Sequence, residues 1–114
     1  MSASGSDARR SLRVKPRTAV PVVDIMWDRV LGFVLDLSAG GMKVLASREL
    51  ADEGLYQVQF DLETEASERE TIEAGVQVVS QSPGAGGMVA GMRFIHLPKA
   101  DSRALAQWLE RQAH

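Results

Sequence analysis

The stretch Asp36-Leu37-Ser38-Ala39-Gly40-Gly41 lies between two apolar runs, Val30-Leu31-Gly32-Phe33-Val34-Leu35 before it and Met42-Lys43-Val44-Leu45-Ala46 after it. Two β-compatible runs joined by Asp, Ser and paired glycines predict two strands meeting at a tight turn. The same residues carry chemistry. An ionised Asp36 only accepts hydrogen bonds, Ser38 donates or accepts, and the glycines leave backbone N–H groups open to close approach. A carboxylate placed there matches the N1–H and N2–H₂ edge of guanine, which only donates. An Asx-turn hairpin with no ligand accounts for these residues equally well.

Outward from this turn the chain continues to read as short strands. Ala19–Met26 predicts a first strand, with Pro21 assigning part of it to an edge or a bulge. Asp28-Arg29 turns into a second strand, Val30–Leu37, and Gly41–Ala46 forms the third. In Leu55–Leu62 the residues Tyr56, Val58, Phe60 and Leu62 alternate with Gln57, Gln59 and Asp61, as a half-buried strand requires. Glu63–Glu70 is an acidic, solvated loop. Thr71–Gln81 predicts a fifth strand with Ile72, Ala74, Val76 and Val78 on one face. The glycine-rich turn Pro83–Gly87 is no phosphate-cradling loop, because no Gly-Lys-Ser/Thr follows and the strand Met88–Leu97 comes next.

From Lys99 to Gln112 the period changes to helical, with Ala104, Leu105, Trp108 and Leu109 on one stripe. Trp108 therefore reads as a core plug and not as a ligand platform. Six short antiparallel strands and one terminal helix predict a small barrel, whose closure removes sheet edges, with the helix capping an open end.

Composition bounds the remainder. The chain has 114 residues, 45% hydrophobic and 25% charged, which suits one domain with a modest core. It has no Cys, and its two His, His96 and His114, are far apart in sequence, so a thiolate or His-based metal site is not expected. No apolar run approaches the ~20 residues of a membrane span. Met1–Ala8 is small, polar and without a signal-peptide apolar core, giving an expected disordered tail and a cytoplasmic location. Residues 9–17 form a basic arm, since Arg9, Arg10, Arg13, Lys15 and Arg17 face Asp7 alone across the first seventeen residues. Residues 18–114 form an acidic body holding the barrel and the helix. The arm suits a compact anionic ligand.

Arg9-Arg10-Ser11-Leu12-Arg13, followed by Asp36-Leu37-Ser38-Ala39-Gly40-Gly41 and then Gly91-Met92-Arg93-Phe94, resembles the motif order of PilZ domains, the bacterial receptors for cyclic di-GMP. The resemblance runs from Arg9 onward. It implies an all-β fold, a six-stranded antiparallel PilZ-type β-barrel with a C-terminal α-helix. It further implies that Arg9 and Arg13 are the arginines of Arg-x-x-x-Arg, that Arg10 is an extra contact, and that Asp36, Ser38 and Gly41 fill Asp-x-Ser-x-x-Gly. A second register pairs Arg13 with Arg17; the first is preferred, because Pro16 interrupts the later pair. Family members often carry Arg or Trp near the end of the fifth strand, where this chain has Val79-Ser80-Gln81.

Arginine suits such a ligand physically, since its planar fork grips phosphate or the guanine O6/N7 edge and stacks on a base. The resemblance implies a receptor without enzymatic activity or cofactor. Its arm would wrap cyclic di-GMP and alter the surface offered to a downstream protein, with no nucleic-acid or membrane partner. The alternative is a ligand-independent interaction module in motility or surface-appendage machinery.

Overall fold

The computed structural model describes residues 12–113, so the expected tail and the candidate residues Arg9 and Arg10 lie outside the described residues. Six strands form: β1 (Pro21–Asp24), β2 (Arg29–Leu37), β3 (Gly41–Ala46), β4 (Leu55–Glu63), β5 (Arg69–Gly84) and β6 (Gly87–His96). One helix, α1 (Lys99–Ala113), follows them. The strands pair antiparallel and close as a barrel in the order β1-β2-β3-β6-β5-β4. The architecture is the expected one.

Alternation decides what faces inward. Val58, Phe60 and Leu62 of β4 meet Ile72, Ala74, Val76 and Val78 of β5 in the barrel interior, together with Val44 and Met42 of β3. Leu105, Trp108 and Leu109 of α1 belong to the same cluster, so Trp108 is the plug its stripe predicts. Each such fully buried large side chain contributes on the order of 1.5–3 kcal/mol. The start of α1 is tied to the wall where the Glu73 N–H donates to Asp101 Oδ2 at 3.0 Å.

Several strand ends differ from the sequence reading by one to three residues, and three of them have a clear local reason. β1 stops at Asp24, because its buried carboxylate accepts from the Met26 and Trp27 N–H groups at 2.9 and 3.3 Å and turns the chain there. β5 begins at Arg69, since Thr64 N–H bonds the Glu68 carbonyl and shortens the acidic loop, with Ser67 at φ 61°. β5 also runs on to Gly84, leaving Ala85 and Gly86 as the turn into β6, and Gly86 supplies the required positive φ of 89°.

Four register shifts interrupt the ladders, and two of them bear on the candidate site. Val34 pairs with Val44 and Asp36 with Lys43, so Leu35 is an extra residue of β2. In β5, Val78 pairs with Met92 and Ser80 with Gly91, so Val79 is extra. Val34 and Leu37 are both buried although three residues apart, and only a bulge between them allows both to face inward.

Candidate functional site

The Leu35 bulge determines where Asp36 points. Without it Asp36 would follow Val34 into the core; with it, Leu37 takes the inward position and Asp36 turns outward beside Lys43. The segment before β1 approaches from the other side. Val14 and Leu37 exchange both backbone hydrogen bonds, at 2.8 and 2.9 Å, which sets Arg13 alongside Asp36. Arg13 Nη1 then donates to Asp36 Oδ1 at 2.9 Å. Leu12 and Val14 also pack against the core, so the end of the basic segment is seated on the barrel.

The β2–β3 turn is held from within. Ser38 is buried, and both its N–H and its hydroxyl donate to the Gly41 carbonyl, at 2.9 and 3.2 Å. Its hydroxyl braces the turn. Gly41 is likewise structural: a Cβ there would collide with the Met92 carbonyl oxygen of β6, so close pairing of β3 with β6 needs glycine. Gly40 is the glycine facing open space, with no atom near its missing Cβ, while its carbonyl accepts from the Phe94 N–H at 2.9 Å. That last bond gives the Gly91-Met92-Arg93-Phe94 run a role, because it ties the turn to β6.

These elements border a shallow cavity of about 340 Å³, lined by Arg13, Ser38, Gly40, Lys43, Ser80 and Arg93 among others. Arg13, Asp36, Ser38 and Gly41 are thereby brought to one place from two motifs. Arg17 is not among them; it lines a separate cleft with Trp108 and Arg111. Lys43 and Arg93 were missed as candidates. Strand alternation in β3 signals Lys43, which lies between buried Met42 and Val44. Arg93 belongs to the Gly91–Phe94 run of β6, and its Nε donates to Gln77 Oε1 at 2.9 Å, which orients the guanidinium along the barrel wall. Three cations thus border a cavity whose rim also includes the bulged Val79, and one of them, Arg13, is paired with the Asp36 carboxylate. Such a surface suits an anion that also presents hydrogen-bond donors. Among the described residues no group of His, Cys, Asp and Glu is placed to hold a metal ion, and no helix is long and apolar enough to cross a membrane.

Residues 7–111 match the family model described as PilZ domain. No curated protein matches the chain. Among solved structures it is similar to the Inhibitor of motility (MotI/DgrA) of Bacillus subtilis, with a TM-score of 0.73 and 17% identity over 90% of this chain and 49% of that one. It is also similar to YcgR from Escherichia coli, solved in complex with c-di-GMP, with a TM-score of 0.70 and 22% identity over 92% of this chain and 47% of that one. The chain spans about half the length of each. At these identities the likeness is one of fold.

Proposed function

The chain belongs to the PilZ domain family, and from that membership we propose that it is a bacterial receptor for cyclic di-GMP without enzymatic activity. The observation that carries the reading is the meeting of Arg13 and Asp36, one from each motif, with Arg13 lining the same cavity as Ser38 and Gly41. In this reading Arg13, with Arg9 and Arg10 preceding it, takes the phosphates and the O6/N7 edge of guanine. Asp36 accepts from the N1–H and N2–H₂ edge. Ser38 and Gly41 hold the turn that presents Asp36, and Gly40 leaves room for the base. Lys43 and Arg93 add positive charge to the same cavity wall.

The Arg13–Asp36 ion pair would give the site its switch. Arg13 and Asp36 satisfy each other until a ligand offers Arg13 a phosphate and Asp36 a guanine edge. Exchanging partners moves the segment carrying Arg13, and with it the surface offered to a downstream protein. Isothermal titration with cyclic di-GMP, and with cyclic di-AMP as the control, tests the reading and reports stoichiometry. Saturable binding of the guanine compound with much weaker binding of the adenine compound is expected. No response to either at near-millimolar concentration overturns the receptor and leaves a ligand-independent interaction module.

A further inference from the structure

The turn from β1 to β2 departs from the usual chemistry of turns. Asp24 and Arg29 pair as the last rung of the hairpin, so Ile25, Met26, Trp27 and Asp28 form its tip. Hairpin tips are ordinarily built of Gly, Asn, Asp and Ser. Here Met26 is 73% and Trp27 74% exposed, with Ile25 and Val30 exposed on either side of them. The Ile25 N–H donates to the Gln57 carbonyl at 2.9 Å, which brings exposed Leu55, two residues earlier on β4, to the same rim of the barrel.

The tip is also held in one shape. The buried Asp24 carboxylate accepts from the Met26 and Trp27 N–H groups through Oδ1, while its Oδ2 is buried without a partner among the described residues. Burying a carboxylate half-satisfied is unfavourable. What it secures is a turn that presents two large apolar side chains to solvent with little backbone freedom left to lose on contact. The five apolar side chains expose on the order of 500 Å², large for a contiguous apolar patch on a monomer. Doubled across a contact between two copies, that gives about 1,000 Å², the lower bound of a specific interface and the size of a weak one.

We propose that the Ile25–Val30 tip is a self-association surface, on which two copies of this chain meet about a two-fold axis. The order of the charges identifies the occupant. Asp28 and Arg29 are exposed neighbours within the patch, and neither makes an ion pair among the described residues. In a two-fold contact residue i meets j wherever j meets i, so Asp28 of each copy faces Arg29 of the other and the contact is neutralised twice. The same register sets Trp27 of one copy beside Val30 of the other. The β3–β4 loop, at the same end of the barrel, adds exposed Arg48, Glu49, Asp52 and Glu53. Four exposed carboxylates thus stand against two arginines at this end, which repels an anionic lipid surface or a nucleic acid and keeps the dimer weak. The tip contributes no residue to the candidate cavity. The inference goes beyond the receptor reading, and its test omits the cyclic dinucleotide, so either can fail without the other.

Sedimentation equilibrium of the full chain from about 10 μM to about 1 mM covers the range of a weak interface. A reversible monomer–dimer equilibrium is expected. Trp27→Ser should leave a monomer throughout with the wild-type melting temperature, because the bonds that hold the turn use the Trp27 backbone. Asp28→Lys and Arg29→Glu, each alone, set like charges against each other and should weaken association about tenfold or more, while their equimolar mixture associates at least as tightly as the wild type. A monomer at about 1 mM, a dimer that survives Trp27→Ser, or a mixture no tighter than its components overturns the proposal. A monomer whose Trp27 indole resonance broadens with phosphatidylcholine vesicles overturns it in favour of a lipid surface. Asp28 has a φ of 50°, which lysine tolerates less well than aspartate. If Asp28→Lys therefore does not fold, Arg29→Glu alone must weaken association and Arg29→Lys must preserve it; any other result overturns the proposal equally.

Discussion

Arg13 and Asp36 lie 23 residues apart in sequence and meet at 2.9 Å, each the other's partner across the rim of the candidate site. The Arg13 side chain is 53% exposed and that of Asp36 22%, so the pair is largely solvated. Exposed ion pairs are worth at most about 1 kcal/mol. Its importance lies in position: it holds together the two groups proposed to take the ligand, at little energetic cost to separate.

Arg13→Ala should weaken cyclic di-GMP binding by about 1.5–3 kcal/mol, the scale of a charge-assisted hydrogen bond. Its melting temperature should barely move, because the Val14–Leu37 backbone bonds do not involve the Arg13 side chain. Arg17→Ala should leave affinity unchanged, since Arg17 borders a different cleft. Calorimetry and a melt of both variants check this, and loss of binding in Arg17→Ala alone would favour the Arg13/Arg17 register.

Asp36→Ala should lower affinity for cyclic di-GMP and erode discrimination against cyclic di-AMP, because a site built around specific hydrogen bonds rejects analogues through them. Paired titrations of the two dinucleotides on wild type and variant measure it. Unchanged selectivity would reduce Asp36 to a holder of Arg13.

The two glycines of the turn should separate folding from binding. Gly41→Ala drives a Cβ into the Met92 carbonyl and should cost about 1–3 kcal/mol, read as a lower melting temperature. Gly40→Ala meets nothing within 4 Å and should melt like wild type, yet its methyl projects into open space beside the site and should reduce ligand affinity.

Asp24→Ala should destabilise the barrel by about 1–2 kcal/mol through loss of the bonds to the Met26 and Trp27 N–H groups. Chemical denaturation measures the loss. The cyclic di-GMP titration should be unaffected, as this turn joins β1 to β2 and contributes no residue to the candidate cavity.

The strand order along the chain, the helix and most of the core were legible in the sequence. The inward residues of β4, β5 and α1 repeat at regular periods, and a regular period needs only local information. The bond between Ser38 and Gly41 is also local, within one turn. What the sequence did not disclose depends on chain segments that meet only on folding. Strict alternation would bury Asp36, and only the pairing of β2 with β3 shows that Leu35 is the extra residue that turns it outward. Gly41 reads as space for a ligand until the Met92 backbone of β6 is seen against it. Lys43 and Arg93 are ordinary strand cations until β3 and β6 set them around one cavity. Pro21 marks an irregularity in the sequence, but that the β1–β4 ladder stops short of Asp61 is decided by the register of β1 on β4, set by Val23↔Gln59 and Asp24↔Val58, pairs 36 and 34 positions apart.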